Sequence, residues 1–191
     1  MRVLLFGDSL LKNLSKPWLV KLEEAIPGAD VYNCSVGGWD TVDGVKKAPY
    51  IAKLKPDVVV LGFGTNDAAL WKKVELDQYQ MNLSKILGEF SGSRIIYFLP
   101  PPVDETKMEA GYVRTNDEIT KYVNAAKEIL DQASMSYINS PKIFGQLIEE
   151  GKDYHIEDGV HFNELGLQTL VDEIAKTTNS VTKGVDPTVT S

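Results

Sequence analysis

Hydrophobic residues follow two patterns that alternate along the chain. Short continuous apolar runs predict five buried strands, at residues 3–6, 30–32, 58–62, 94–99 and 137–138. Apolar residues at three- and four-residue steps predict amphipathic helices between and after the strands, at residues 17–25, 79–90, 117–133 and 164–177. Strands that alternate with helices form a parallel sheet covered on both faces. The pattern therefore predicts a three-layer α/β/α domain around a five-stranded parallel sheet.

The composition changes near the end of the chain, where Thr and Ser become frequent and large apolar residues become rare. Such a segment buries too little apolar surface to offset the entropy lost on ordering. We therefore predict one domain at residues 1–178 and a flexible or loosely docked tail at residues 179–191. The whole chain has 191 residues, which suits a single domain with a full core.

The charge distribution narrows the classes of partner. The net charge is −7, and Lys and Arg are scattered rather than clustered, which disfavours nucleic acid and anionic membrane surfaces as partners.

No apolar run reaches the roughly 18 residues that a spanning helix needs. The first predicted strand leaves no room for a signal peptide, and the single cysteine, Cys34, suits a reducing compartment. We expect a cytoplasmic protein, and its oligomeric state stays open, a homodimer included.

Residues with catalytic potential follow the predicted strands. Ser9 follows the first strand, a glycine pair at residues 37–38 follows the second, and Asn66 follows the third. Asp158 and His161 lie just before the last predicted helix. Ligands of open α/β sheets bind at the carboxyl ends of the strands, so we expect these groups to meet at that edge.

Together these residue types form a complete set for acyl transfer. A serine hydroxyl is a weak nucleophile until an adjacent imidazole takes its proton, and His161 is the base that suits Ser9. Asp158, three positions before His161, can bind the imidazole and fix its tautomer. The tetrahedral intermediate needs N–H donors for its oxyanion. The candidates are the backbone N–H groups of Ser9 and Gly38 and the side-chain amide of Asn66.

Four short motifs carry a resemblance to a known family. They are "FGDSL" at residues 6–10, the glycine that follows "NCSVG", "GTND" at residues 64–67 and "DGVH" at residues 158–161. They resemble, in the same order, the four motif blocks of the SGNH (GDSL) hydrolase superfamily. The resemblance extends from residue 6 to residue 161, which is most of the chain.

This resemblance implies a flavodoxin-like strand order and a serine esterase. It assigns Ser9 as the nucleophile, His161 as the base with Asp158 behind it, and Gly38 and Asn66 as oxyanion donors. Gly38 is chosen over its neighbour because the family pattern places the glycine five positions after an asparagine, here residue 33. No metal and no organic cofactor are implied, and the expected partner is a small ester.

Sequence features less specific than the four motifs resemble the isoamyl-acetate-hydrolysing esterase group within that superfamily. These signals are "GTNDA", "VELDQYQMNL", the "PPP" after the fourth strand, and a core without insertions. They imply short acyl groups such as acetyl or butyryl. The alcohol half stays open between an alkyl chain and a sugar, so a carbohydrate acetylesterase remains an alternative, as does a lysophospholipase or thioesterase of the same superfamily.

Four residues beside the motifs are candidate substrate contacts: Asp8, Trp39, Phe63 and Trp71. Asp8 also suits a hydrogen-bonding role in a turn, and the three aromatic residues could equally complete the core.

Two alternatives concern other chemistries. A flavodoxin-like module for a nucleotide or flavin is the non-enzyme alternative, although "GFGTND" lacks the last glycine of the dinucleotide fingerprint. A metal site at His155, with Asp153, Glu157 and His161, matches no zinc-ligand spacing.

Overall fold

A computed structural model describes residues 1–183 and shows a single parallel sheet. Its strands are β1 (Arg2–Gly7), β2 (Asp30–Asn33), β3 (Val58–Gly62), β4 (Arg94–Phe98) and β5 (Ser136–Ile138). They lie in the order β2-β1-β3-β4-β5, and every pairing is parallel. This is the flavodoxin-like order, so the predicted fold is confirmed.

Seven α-helices connect or follow these strands in the described part of the chain. They are α1 (Ser9–Lys12), α2 (Lys16–Ala25), α3 (Thr41–Ile51), α4 (Leu76–Glu89), α5 (Asn116–Gln132), α6 (Ser140–Glu149) and α7 (Glu164–Thr182). The four helices predicted from apolar spacing correspond to α2, α4, α5 and α7. Helices α1, α3 and α6 were not predicted.

Helix α3 escaped prediction because its buried face consists of small residues, namely Thr41, Gly44 and Ala48. A Cβ at Gly44 would lie 2.6 Å from the Ile86 side chain, so α3 approaches α4 closely. Its start is specified by a capping box, in which Asp40 accepts from the first-turn backbone and Asp43 reaches back to residue 40.

The core lies on both faces of the sheet. Because successive strand residues point to opposite faces, neighbours such as Leu4 and Leu5 belong to separate apolar clusters. One cluster contains Phe6, Tyr97 and buried residues of α4 and α5, and the other contains buried residues of α2, α6 and α7. Burial on both faces explains why the strands are continuous apolar runs.

The C-terminal helix extends beyond the predicted domain boundary. Helix α7 continues to Thr182, Thr178 is fully buried, and Asn179 Nδ2 donates to the Ala25 carbonyl at 3.0 Å. The boundary predicted at residue 178 therefore falls inside α7, and residues 179–182 are helical. The rest of the predicted tail, residues 184–191, lies outside the described residues. Within residues 1–183, no helix combines the length and apolarity needed to cross a bilayer.

Candidate active site

Ser9 lies where β1 ends and α1 begins, at the carboxyl edge of the sheet. Asp8 caps α1 by accepting from the Leu10 backbone N–H at 2.9 Å, and Ser9 is the first helical residue. The strand reaches this point through a close approach, because a Cβ at Gly7 would lie 2.1 Å from the Gly62 carbonyl oxygen. The cap and the close approach together fix the position of Ser9.

Ser9, His161 and Asp158 form a continuous hydrogen-bonded relay. The Ser9 Oγ is 2.7 Å from His161 Nε2, and His161 Nδ1 is 2.5 Å from Asp158 Oδ2. The other oxygen of Asp158 accepts from the backbone N–H groups of Val160 and His161, each at 2.9 Å. The "DGVH" loop thus folds around its own carboxylate, and the three side chains that the sequence singled out meet.

The electrostatics of Asp158 suit an orienting role. Partial burial raises the pKa of the Asp158 carboxyl, but hydrogen bonds from His161 and the Val160 backbone outweigh burial and hold the pKa below its ordinary value. An ionised Asp158 favours a proton on Nδ1 of His161. This tautomer leaves the lone pair of Nε2 facing the serine hydroxyl, as proton abstraction requires.

The glycine pair after β2 passes beside Ser9. A Cβ built at Gly37 would lie 3.8 Å from the Ser9 Cβ, and Gly38 has a φ of +81°, which favours glycine. Among the described residues, the backbone N–H groups of Ser9 and Gly38 have no hydrogen-bond acceptor. They are available to bind an oxyanion.

The third predicted donor, Asn66, is fixed against this turn. Its Nδ2 donates to the Trp39 carbonyl at 2.8 Å, and the side chain is only 5% exposed. The neighbouring Asp67 accepts from the Gly64 N–H and the Thr41 N–H, each at 3.0 Å. Burial raises the pKa of Asp67 to about 6, although the Thr41 hydrogen bonds oppose this rise. Asp67 therefore ties the "GTND" loop to the start of α3.

Comparison with known proteins identifies the family. The model of the GDSL-like Lipase/Acylhydrolase family matches residues 5–169. The chain belongs to this family. Membership confirms the resemblance drawn from the four motifs, and it makes the protein a carboxylic ester hydrolase.

Two curated relatives are esterases. The chain is 26% identical to a GDSL esterase/lipase of Arabidopsis thaliana, over 92% of this chain and 77% of that protein. It is 25% identical to the isoamyl acetate-hydrolyzing esterase of Saccharomyces cerevisiae, over 77% of this chain and 68% of that protein.

Solved structures share the fold. A lipase/acylhydrolase from Enterococcus faecalis superposes with a TM-score of 0.82 at 26% identity, covering 94% of this chain and 96% of that one. The acetyl xylan esterase AlAXEase gives a TM-score of 0.77 at 18% identity, covering 92% and 98%.

A cleft of about 480 Å³ opens beside His161 of this GDSL-family esterase. Trp71 and Tyr112 form one wall as an edge-to-face pair, with ring centroids 5.3 Å apart. Charged side chains lie among the other residues that line it, which are Lys107, Met108, Glu109, Arg114, Ile156, Glu157, Asp158, Val160 and His161.

The four residues predicted to contact substrate lie in different environments. Trp71 is 44% exposed and lines the cleft. Phe63 does not: it is 1% exposed and packs against Phe6 in the core, because the residue after β3 turns toward α3. Trp39 is half-buried, and its ring also packs against Phe6. Its carbonyl oxygen accepts a hydrogen bond from Asn66 Nδ2.

Asp8 is a buried cap and not a surface that substrate can touch. It is 2% exposed, and burial raises its pKa to about 7, although the Leu10 hydrogen bond and the nearby Arg114 oppose this rise. Its role is therefore structural, as the turn-forming alternative stated.

One buried residue of the site was missed by the sequence analysis. Arg114 lies just before α5 and is 8% exposed. Its Nε donates to the Thr65 carbonyl at 3.0 Å, its Nη2 donates to Asn66 Oδ1 at 2.7 Å, and its guanidinium lies 4.5 Å from the centre of the Trp71 ring. No motif or periodic pattern marks a single arginine in a polar loop.

The residues of the metal alternative do not assemble as a ligand set. His161 is engaged with Ser9. His155, Asp153 and Asp104 do converge, with ligand atoms within 4.8 Å of one another. However, the Lys107 ammonium is hydrogen bonded to Asp153 and lies 3.6 Å from Asp104, so these carboxylates already have a cation. This cluster is an ion-pair network whose Asp104, Asp153 and His155 line a separate cavity.

Proposed function

We propose that the protein hydrolyses short-chain acyl esters through an acyl-enzyme formed on Ser9. The observation that carries this proposal is the relay from the Ser9 hydroxyl through His161 to Asp158, with separations of 2.7 and 2.5 Å. Both distances are within the reach that proton transfer requires.

The geometry supports the following sequence of steps. His161 Nε2 takes the hydroxyl proton as Ser9 Oγ attacks the ester carbonyl carbon, which forms a tetrahedral oxyanion. The carbon–oxygen bond to the alcohol breaks, and His161 returns the proton to the leaving alcohol. A water molecule then loses a proton to His161 and attacks the acyl-enzyme. The acid departs, and Ser9 regains its proton.

Three donors are arranged for the oxyanion. The backbone N–H groups of Ser9 and Gly38 have no acceptor among the described residues. Asn66 Nδ2 donates one of its two hydrogens to the Trp39 carbonyl, which leaves the other for the oxyanion. Fixed donors stabilise the developing charge without reorganisation during the reaction.

The cleft supports a short acyl group. The Trp71–Tyr112 pair closes one side of a cavity of about 480 Å³. The name of the yeast relative, an isoamyl acetate-hydrolyzing esterase, refers to an acetyl ester, which agrees with a short acyl group. The charged residues Lys107, Glu109 and Glu157 at the cleft also suit a polar alcohol such as a sugar. We therefore keep a carbohydrate acetylesterase as the second candidate.

The test is hydrolysis of p-nitrophenyl acetate and butyrate by wild type and Ser9→Ala. Loss of the nucleophile is expected to lower kcat by about 10⁴-fold or more. Ser84→Ala is the matched control, because Ser84 is exposed on α4 and its hydroxyl donates only to the Gln80 carbonyl. EDTA is expected to have no effect. Turnover that survives in Ser9→Ala and disappears with EDTA would contradict the proposal.

An acetylated xylo-oligosaccharide, assayed beside isoamyl acetate, separates the two candidates for the alcohol half. A kcat/KM that is higher for the sugar ester would favour the carbohydrate acetylesterase.

A further inference from the structure

Arg114 is a buried cation whose hydrogen bonds converge on the oxyanion side of the site. It contacts the "GTND" loop twice, at the Thr65 carbonyl and at Asn66 Oδ1. A third hydrogen bond, from Nη1 to the Tyr112 carbonyl at 3.4 Å, holds the guanidinium to its own loop. The Trp71 ring covers one face of the guanidinium.

The orientation of the Asn66 amide depends on both of its ends. The oxygen accepts from Arg114, and the nitrogen donates to the Trp39 carbonyl. A primary amide has two N–H donors, so this arrangement leaves one hydrogen for a ligand. A rotated amide would present its oxygen to the developing oxyanion, and like partial charges would then repel.

Removal of Arg114 would leave Asn66 Oδ1 unpaired in a site where the side chain is 5% exposed. An unpaired buried polar atom is costly, so the amide would rotate or draw in water. The guanidinium also polarises the amide, since hydrogen bonds in a chain strengthen one another where water is excluded.

Two carboxylates stabilise the charge of Arg114 in this environment. Burial lowers the pKa of Arg114, but interaction with Asp8 and Asp158 opposes the loss of its proton. A guanidinium stays protonated under such conditions and offers a planar fork of donors. A lysine ammonium could bind the Thr65 carbonyl or Asn66 Oδ1, but it lacks the planar fork that reaches both while stacking on Trp71.

We propose that Arg114 is a positioning residue, which holds the side-chain amide of Asn66 with one N–H directed at the ester oxyanion. This inference rests on the proposed function of Asn66 as an oxyanion donor. It predicts that Arg114 acts on the transition state through Asn66 and contributes little to ground-state binding of substrate.

The test is a double-mutant cycle on p-nitrophenyl acetate. Arg114→Met, which keeps the length of the side chain, is expected to lower kcat about 10- to 100-fold with little change in KM. This loss is smaller than the roughly 10²–10³-fold expected for Asn66→Ala, because the amide itself remains. In the Asn66→Ala background, Arg114→Met should cost less than about 2-fold, since it then has no amide to position. Arg114→Lys should recover only part of the loss.

Controls separate this inference from a structural effect and from the proposed function. Arg94→Met, at the exposed start of β4, should leave kcat unchanged. Thermal unfolding checks that the variants fold, and if Arg114→Met does not, Arg114→Lys in both backgrounds completes the cycle. Equal losses in both backgrounds, a pure rise in KM, or no loss would overturn the role of Arg114. Turnover that persists in Ser9→Ala would instead overturn the proposed function.

Discussion

At the scale of single residues, the carboxylates around Ser9 divide into two groups. Asp158 is partly exposed, and its hydrogen bonds hold its pKa below the ordinary value. Asp8 and Asp67 are buried, and burial raises their pKa values to about 7 and about 6. Asp158 is therefore ionised at neutral pH, whereas ionisation of the buried Asp8 and Asp67 reduces the stability of the fold.

Asp8 is therefore expected to make stability fall as pH rises. A carboxyl with a raised pKa binds its proton more tightly in the folded state than in the unfolded state. Between about pH 4 and about pH 7 the free energy of unfolding should therefore decrease as pH rises, because the folded state must give up the Asp8 proton that it binds more tightly. Asp8→Asn keeps a cap for α1 but cannot ionise, so it should flatten this decline.

Urea unfolding at several pH values checks this expectation. Asp8→Asn should match wild type near pH 4 and exceed its stability above pH 7. The pH dependence that remains in the variant combines two opposing effects: the raised pKa of Asp67 lowers stability as pH rises, whereas the lowered pKa of His155 increases it. Identical pH profiles for the two proteins would show that Asp8 does not carry the decline.

At the scale of elements, the site depends on how closely β1 and β3 approach at their carboxyl ends. Gly7 is paired with Gly62, and the Asp8 N–H donates to the Gly62 carbonyl at 3.1 Å. A Cβ at Gly7 would lie 2.1 Å from that carbonyl oxygen, which is backbone and cannot rotate away. The spacing of these two strands therefore determines where Ser9 lies relative to His161.

Gly7→Ala is expected to reduce stability by about 1–3 kcal/mol, because β3 must move to admit the methyl group. It should also lower kcat, since the shift displaces Ser9. Gly88→Ala is the matched control: it lies on the exposed face of α4 with open space around it, so a methyl group there should stabilise the helix by about 0.5–1 kcal/mol. Thermal unfolding of both variants measures the difference, and a Gly7→Ala protein as stable as wild type would contradict this account.

At the scale of the whole molecule, the cleft beside His161 is built from segments far apart in the chain. Trp71 follows β3, Tyr112 and Arg114 precede α5, and the loop at residues 156–161, which contains His161, precedes α7. The Trp71 ring contacts both the Tyr112 ring and the Arg114 guanidinium. Its bulk therefore limits the cleft.

The wild-type protein is expected to prefer acetyl and butyryl esters in a chain-length series of p-nitrophenyl esters. Trp71→Ala should enlarge the cleft and raise kcat/KM for the hexanoyl ester relative to the acetyl ester by about tenfold, because methylene groups then gain apolar contacts. Tyr50→Ala, on the exposed side of α3, is the control for loss of an aromatic residue outside the cleft. An optimum at ten carbons or more in wild type, or an unchanged preference in Trp71→Ala, would contradict this prediction.

The sheet and the motifs of the site could be predicted from the amino-acid sequence alone. Apolar runs mark strands buried on both faces, and Ser9, Asn66 and His161 lie in local motifs whose position after a strand or before a helix can be counted along the chain. Local spacing is enough for these features, because strand ends and loops adjoin each other in the sequence.

Features that depend on contacts between distant segments could not be predicted in this way and are evident only in the folded protein. Arg114 reaches Asn66 across 48 positions, and Phe63 packs into the core against Phe6 and beside Gly44 of α3. The spacing of apolar residues does not predict helix α3, because its close contact with another helix requires small residues in place of large apolar ones. Helix α7 extends past the predicted boundary because Thr178 and Asn179 gain burial and a hydrogen bond from packing against other segments. Periodicity cannot report such contacts, because their energy comes from partners that are neighbours only after folding.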